Sequence, residues 1–463
     1  MLTPGSQGLP AGANPRLRER SSLLAAAIAA MAAVAATATW GGLGLQSLPG
    51  MALAALAAVA ALWLVVTRAS WLPVLLAPAL IPFPLVGLVF PFELMLGLAG
   101  ALLLLHLIRT NPSRVTAWTR WEVMNALFVL WALVTIYWCF DRLHVLLGVR
   151  RLLVGVFAGW TAYRLAGQVP RRVFETSLLL GLLCIGVAAL RQSASSGLSA
   201  QGLLMHRTAA GDLGWGTANY VATLLLLLSP PAVAMLVSAR PAWMRALALA
   251  GLVTAATLQV QVASRAAAVL FFFGMLVQVF LMLRSRARWI GVTTIIVAIA
   301  LAVISPYGQG LLSRFTNLRD LGSMVVRLWY FREGWQRVVD FFPFGMGLNQ
   351  GIPYPDKMSG KDLHNYWLVV TSELGLPGLL LWIATLVTQW RAFVRLRRSP
   401  GNAQIALALQ VSFWLGQLHT LVEPTFQGGQ YQFLWFWIGL GFLGYARTTG
   451  AGVPASAVAS SER

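Results

Sequence analysis

Long apolar runs separated by short polar segments dominate this chain. Apolar runs of about 20 residues are long enough for helices that cross a bilayer, and they are continuous where strands of a membrane barrel would alternate. The pattern therefore predicts an all-α fold, a polytopic transmembrane helical bundle. The fourteen runs fall at 22–40, 51–67, 71–90, 92–108, 121–140, 149–168, 173–190, 217–238, 243–262, 264–283, 289–305, 366–392, 402–422 and 432–447.

The number of true spans is expected to be about 12, within a range of 11–14. The third run is the weakest, because five prolines lie between residues 71 and 92. Each proline removes a backbone donor that lipid cannot replace, so this segment can be broken or re-entrant. The sequence therefore leaves the topology of the N-terminal part open.

Basic residues separate the two faces of the predicted bundle. Arginines recur in alternate loops, for example at 171–172, 284–288 and 395–398, and cytoplasmic loops are the ones enriched in Lys and Arg. Both termini are therefore expected in the cytoplasm. The predicted division is a cytoplasmic tail (1–21), transmembrane helices with short loops (22–305), a large, partly helical periplasmic loop (306–364), C-terminal transmembrane helices (365–447) and a cytoplasmic tail (448–463).

The charge balance is strongly basic. Lys and Arg number 34 against 14 acidic residues, which gives a net charge of +20 in a chain that is 58% hydrophobic. Basic loops and contact with anionic headgroups, worth about 1 kcal/mol per residue near the surface, account for most of this excess. Membrane lipids are therefore the expected partners, and nucleic acid is not implied.

A second set of arginines lies on the predicted outer face, where the positive-inside rule expects few. Arginine pairs with phosphate oxygens through its planar fork and keeps its charge at physiological pH, so these residues predict a phosphate-bearing ligand. Arg265 is the sharpest case, since an intramembrane arginine favours function, although snorkelling to headgroups is the alternative. The other candidates are Arg142, Arg151, Arg191, Arg314, Arg319 and Arg327.

The large loop contains an amphipathic helix and a glycine-containing turn. Residues 324–342 place apolar side chains at three- and four-residue spacing opposite charged ones, a helical period. Its tryptophans suit the lipid interface, and packing against the bilayer or the neighbouring spans explains most of its residues. Gly345 and Gly347 follow no strand and lack the Lys-Ser/Thr of a phosphate-binding loop, so a nucleotide site is not indicated.

His364 is one of only five histidines and directly precedes an apolar run. It lies on the same predicted side as the arginines, flanked by Asp362 and Asn365, which could orient its ring. Imidazole accepts protons near neutral pH. The few carboxylates form no pair suited to Mg²⁺, so the sequence predicts no metal and no cofactor, with arginine neutralising a diphosphate.

The order of these features resembles the O-antigen ligase family and its wider polymerase/ligase superfamily. The motifs are Arg265; Arg327-x-Trp329; Pro343-x-Gly345-x-Gly347; His364-Asn365-x-x-Leu368; and Glu373-x-Gly375-x-x-Gly378. They cover about 265–378, whereas the multi-span pattern extends over nearly the whole chain.

The resemblance implies a glycosyltransferase with a GT-C-like fold in the Gram-negative inner membrane and a periplasmic active site. Such ligases transfer O-antigen from undecaprenyl diphosphate to lipid A-core without metal. Carried over, His364 and Arg265 are the catalytic residues, while the donor diphosphate is bound by Arg265 and Arg191 with an arginine of the loop. Arg327 is preferred there, with Arg314 and Arg319 close enough to leave the match open.

Other functions remain open at this level. An O-antigen polymerase uses the same donor with a lipid-linked acceptor, and a protein O-oligosaccharyltransferase of the superfamily uses a protein hydroxyl. A lipid-linked glycan flippase or transporter is the alternative from another class. Internal repeats or charges deep within several spans would favour the transporter, and the sequence shows neither clearly.

Overall fold

The protein was analysed as a computed structural model, which describes residues 118–423 apart from 167–170, 196–217, 239, 263, 306–308, 310–311, 313–317, 351–362 and 399–401. The predicted spans before residue 118 and the last one at 432–447 lie outside the described residues. So do the predicted tails, Arg314 and Asp362.

Helices form almost all of the described chain, as the all-α prediction requires, and the structure confirms that fold class. A single 3₁₀ turn, Thr135–Tyr137, follows the first helix. The α-helices are α1 (Arg120–Val134), α2 (Arg142–Ala166), α3 (Arg171–Ser195), α4 (Ala218–Val237), α5 (Ala242–Val262), α6 (Arg265–Met282), α7 (Ser285–Ile304), α8 (Leu318–Asp340), α9 (Tyr366–Arg398) and α10 (Ala403–Thr420).

Helix α2 is the clearest departure from the apolar pattern, because it begins seven residues before the predicted run at 149. The carboxylate of Asp141 accepts hydrogen bonds from the backbone N–H groups of Leu143 (2.8 Å) and His144 (3.2 Å), which is an N-cap. The His144 ring Nδ1 also lies 2.8 Å from Asp141, and this bond holds the pKa of Asp141 below its ordinary value. The residues between Asp141 and the predicted run at 149 are therefore helical.

Helix α4 forms the centre of the described bundle and packs against α3, α5, α6 and α10. It contains Pro230 and Pro231, and a proline leaves the carbonyl four residues earlier without its helical donor. For Pro231 that carbonyl belongs to Leu227, and the Ser412 hydroxyl of α10 donates to it over 2.9 Å. A neighbouring helix thus supplies a donor for the unpaired carbonyl, which lipid could not do.

Three of the described helical segments are long and apolar enough to cross a bilayer: Ala242–Val260, Arg265–Met282 and Tyr366–Arg398. Two shorter apolar helical segments, Glu175–Ala189 and Val221–Val237, pack among them. Helix α7 exposes large apolar side chains, including Ile290, Leu301 and Ile304, which suits a lipid-facing surface. The number of spans, predicted at about twelve from the whole sequence, stays a prediction.

Cross-helix contacts define one end of the bundle. Gln259 near the end of α5 donates to the Ala222 carbonyl near the start of α4 (2.8 Å), and Ala267 near the start of α6 packs on the same Ala222. Arg327 of α8 pairs with Glu423, just beyond the end of α10. The start of α6 therefore lies at the end of the bundle where α8 docks.

Helix α8 presents its apolar stripe outward. Leu328, Phe331 and Trp335 are all exposed, whereas Tyr330 and Gly334 are buried. The buried side contacts α9 and its approach, because a side chain at Gly334 would meet Leu363 and Leu368. The predicted amphipathic helix is present, and its exposed stripe is the kind of surface that lies on lipid.

Candidate functional site

A buried carboxylate joins three separate parts of the chain at this end of the bundle. Glu423 Oε1 accepts hydrogen bonds from the Arg327 guanidinium (2.6 Å) and the Asn219 amide (2.7 Å). Its other oxygen, Oε2, lies 3.3 Å from Nδ1 of His364. We call Asn219, Arg327, His364 and Glu423 the carboxylate clamp; it unites the start of α4, α8, the entry to α9 and the end of α10.

The Glu423 carboxylate is held in its charged form. Burial by itself raises the pKa of Glu423, but the hydrogen bond from His364 and the positive charge of Arg327 outweigh it. The pKa of Glu423 therefore lies below its ordinary value, because hydrogen bonds and opposite charges favour the ionised form. The clamp keeps a negative charge beside the imidazole at neutral pH.

His364 occupies an unusual backbone position on the approach to α9. Its φ angle is +51°, a left-handed conformation that residues other than glycine rarely adopt and that is found most often where function requires it. The next residue, Asn365, accepts a hydrogen bond from the Leu368 backbone N–H (3.1 Å) and so caps α9. His364 thus lies in a strained turn immediately before the helix begins.

The His364 ring is held on one side and open on the other. The Tyr330 ring of α8 lies 5.5 Å away, centroid to centroid, and Glu423 occupies Nδ1. About a third of the side chain (31%) remains exposed. Nε2, on the opposite edge of the ring, is therefore the nitrogen left for a substrate group.

A second histidine extends the polar network into the bundle. His419 of α10 is fully buried, and its Nδ1 lies 3.1 Å from the Thr223 hydroxyl of α4. Thr223 in turn donates to the Asn219 carbonyl (2.9 Å). The imidazole of His419 therefore pairs with Thr223 and not with the Glu423 carboxylate four residues later.

The two glycine motifs form one backbone junction. Loop 341–350 crosses the kink of α9, where the Met346 N–H donates to the Ser372 carbonyl (2.9 Å) and the Leu376 N–H to the Pro343 carbonyl (2.8 Å). Gly345 and Gly375 both have positive φ angles. A Cβ on either would collide with the backbone of the opposite segment. These motifs therefore explain packing, and we call the contact the glycine junction.

Tryptophans of the α1 region hold this junction in place. The indole N–H of Trp131 donates to the Leu374 carbonyl (2.7 Å) and that of Trp138 to the Gly345 carbonyl (2.8 Å). Both rings also contact Phe344. The loop that follows α8 is thereby fixed to α1 and to α9, the helix that His364 precedes.

A pocket lies beside the junction, between α2, α9 and loop 341–350. Its lining includes Arg151, Gly148 and Tyr366, with the buried Glu373 at its edge. The Glu373 carboxylate accepts from the Asn349 backbone N–H (2.7 Å). Arg151, one of the predicted donor-binding arginines, therefore borders this cavity.

The other predicted site residues lie on several different helices. Arg265 is the first residue of α6 and is half-buried. Arg142 and Arg151 lie on α2, and Arg191 lies near the end of α3; all three side chains are exposed. Arg319 belongs to the first turn of α8. Arg327 alone of these arginines lies in the carboxylate clamp.

Sequence reasoning missed Glu423 and Asn219 as members of the site. One signal was available, because Glu423 is one of only 14 acidic residues and follows an apolar run four residues after His419. Its partner could not have been foreseen, since His364 lies 59 residues earlier in the chain. Within the described residues, no group of three or more His, Cys, Asp or Glu side chains could hold a metal ion.

Comparison with known proteins supports the resemblance seen in the motifs. Residues 250–383 match the family model described as O-antigen ligase, a range that includes Arg265, Arg327, His364 and both halves of the glycine junction. No curated protein matches the chain significantly. Asn219 and Glu423 lie outside the matched residues. The apolar helices and the match over residues 250–383 indicate a polytopic membrane protein that carries the region described by the O-antigen ligase family model.

Proposed function

We propose that this protein transfers O-antigen polysaccharide from undecaprenyl diphosphate to a sugar hydroxyl of lipid A-core. The reaction takes place on the periplasmic face of a Gram-negative inner membrane. The carboxylate clamp carries the proposal, because it presents one edge of His364 at the bundle end where Arg265 begins α6. The family match supports the same class of membrane glycosyltransferase.

The proposed chemistry is a single, inverting displacement. The acceptor hydroxyl gives its proton to Nε2 of His364 while its oxygen forms a bond to the anomeric carbon of the donor. The bond from that carbon to the diphosphate breaks, and the electron pair leaves with the diphosphate. His364 is the general base, and the protonated ring then faces the negative charge of Glu423.

Arginines supply the electrostatic part of this mechanism. Arg265, together with Arg191 and an arginine of the large loop, binds the diphosphate and stabilises its developing charge. Arg142 and Arg151 on α2 are further candidates for binding the diphosphate. Holding both substrates in line accounts for a large part of the acceleration, because diphosphate is already a good leaving group.

A transfer assay with purified protein, lipid-linked O-antigen and lipid A-core tests the proposal. His364→Ala should reduce the rate roughly 10²–10⁴-fold, the usual contribution of a positioned base. Arg265→Ala should weaken donor binding. Arg245→Ala is the control. Arg245 is an exposed arginine near the start of α5, whereas it is the end of α5 that contacts the start of α4 near the proposed site.

Two results would overturn the proposal. Transfer by His364→Ala at the wild-type rate would remove the base. A wild-type protein that lengthens lipid-linked glycan but leaves lipid A-core unmodified would be a polymerase instead.

A further inference from the structure

We propose that Glu423 is a positioning residue that fixes the tautomer of His364, with Arg327 and Asn219 fixing Glu423. This inference rests on the proposed function, because it assigns how the base of that reaction is prepared. Glu423 touches no substrate in this scheme. It acts only through the His364 ring.

Glu423 lies where a carboxylate is unfavourable for the helix and for burial, which supports a role in orienting the His364 ring. It directly follows α10, where its backbone N–H bonds to the His419 carbonyl (3.0 Å). The C-terminal end of a helix carries partial negative charge and favours cations. Burial adds a further cost for an ionised group. The helix itself gains nothing from this carboxylate, whereas the imidazole gains an acceptor.

The two carboxylate oxygens have different partners, and this difference assigns the tautomer. Oε1 accepts hydrogen bonds from the guanidinium of Arg327 and the amide NH₂ of Asn219, and neither of these groups can act as an acceptor. Oε2 faces Nδ1 of His364. A charged carboxylate can only accept, so the Nδ1 position carries the proton and Nε2 keeps its lone pair. That lone pair is what a general base needs.

Arg327 receives a different role from the one expected in the sequence. Its contact in the structure is with Glu423 at 2.6 Å, so its charge stabilises the carboxylate that orients the base. Donor binding then falls to Arg265 and Arg191, with Arg314 or Arg319 of the large loop. A variant of Arg327 should accordingly change the rate more than the affinity for the donor.

Glu423→Gln is the decisive variant, because it keeps the shape of the side chain and replaces one of the two acceptor oxygens with an NH₂ donor. The glutamine oxygen will turn toward Arg327 and Asn219, which both donate. The amide NH₂ group will then face Nδ1, which must accept, and the ring proton moves to Nε2. Transfer requires the opposite tautomer, so we expect kcat to fall roughly 10–100-fold, a loss typical when an orienting partner is removed, with an unchanged KM for the donor.

Glu175→Gln is the matched control. Glu175 is also a buried glutamate with an arginine partner at 2.6 Å, here Arg240, but the pair joins α3 to the segment between α4 and α5 and contains no histidine. It should destabilise the protein much as Glu423→Gln does and leave transfer at the wild-type rate. Equal losses of rate in both variants would show that Glu423 matters only for stability.

Two further readouts separate positioning from folding. In a His364→Ala background, Glu423→Gln should cause no further loss of activity, because the imidazole that Glu423 orients is absent. Nitrogen NMR of histidine-labelled protein has only five rings to resolve, and His364→Ala identifies the signal of interest. That signal should report a proton on Nδ1 in the wild type and on Nε2 in Glu423→Gln.

The outcomes distinguish this inference from the proposed function. If His364→Ala abolishes transfer while Glu423→Gln keeps the wild-type kcat, the function stands and the inference fails. An unchanged tautomer in Glu423→Gln also overturns the inference. If wild-type protein transfers nothing to lipid A-core, the proposed function fails, and the NMR measurement still tests the tautomer assignment.

Discussion

The carboxylate clamp and the glycine junction both tie α9 to the region of α8, but they do so by opposite means. The clamp uses charged and polar side chains around the Glu423 carboxylate and leaves one edge of His364 open. The junction uses backbone against backbone, with Gly345 and Gly375 where any side chain would collide. In the proposed mechanism, the clamp prepares His364 as the base, and the junction fixes the position of the helix that follows it.

The contrast separates the motifs of the O-antigen ligase family by role. Pro343-x-Gly345-x-Gly347 and the Glu373-x-Gly375 segment are the two halves of a single packing contact. His364 belongs instead to a polar cluster whose other members include residues outside the family match. We therefore expect changes in the junction to affect folding first, and changes in the clamp to affect transfer first.

The largest effect on stability should come from Gly375→Ala. The φ and ψ angles of Gly375 are 66° and −166°, a region that is essentially restricted to glycine and costs other residues about 1–3 kcal/mol. The new Cβ would also press on the Pro343 carbonyl, and overpacking costs about 1–3 kcal/mol more. We expect a loss of about 3 kcal/mol or more, measured by thermal unfolding in detergent.

Gly334→Ala is the matched control for that change. A Cβ there would meet side-chain atoms of Leu363 and Leu368, at 3.2 and 3.1 Å, and not backbone, and alanine is more favourable than glycine in a helix by about 1 kcal/mol. Stability close to wild type is expected. If Gly375→Ala unfolds at the wild-type temperature, the junction is not a close backbone contact.

Arg327→Ala should have an intermediate effect on stability and a distinct effect on transfer. It leaves Glu423 buried beside fewer donors, at a cost of about 1–3 kcal/mol. Arg327 is itself about a third exposed (35%), so water can replace part of the lost contact. Transfer should fall through kcat, whereas the control Arg240→Ala should lose comparable stability and keep its transfer rate.

Donor binding decides between two roles for Arg327. If Arg327→Ala weakens the affinity for the lipid-linked donor and leaves kcat unchanged, Arg327 binds diphosphate and the clamp assignment is wrong. An equilibrium binding measurement with the donor alone provides this answer independently of transfer.

Asn365→Ala should have the smallest effect. It removes the cap of α9, whose loss costs about 1 kcal/mol, and slightly loosens the backbone that orients His364. Asn365→Asp should keep both stability and transfer, because aspartate caps equally well and suits the positive end of a helix. A large loss of transfer in Asn365→Asp would indicate that the amide contacts the reacting groups directly.

Much of the fold could be predicted from the sequence. The apolar runs place α3 to α6, α9 and α10 within a few residues of their observed limits, because burial in lipid or between helices requires continuous apolar surface. The start of α2 could not be placed this way. It depends on the N-cap at Asp141. A hydropathy pattern does not detect such local hydrogen bonds.

The candidate site was only partly accessible to sequence reasoning. His364 was selected by its setting, and Arg327 by its order among the motifs. The sequence could not show that Arg327 pairs with a carboxylate 96 residues away, nor that the two glycine motifs touch. Both facts depend on how α8, α9 and α10 meet.

The sequence by itself determined the class of the protein: its apolar periodicity sets an all-helical membrane fold, and its motif order indicates the O-antigen ligase family. Only the tertiary structure decided which polar groups meet. Hydropathy and spacing are properties of single segments, whereas the carboxylate clamp is made by four segments that are distant in the chain. A buried charge must find its partners in three dimensions, because leaving it unpaired in the bundle would cost too much.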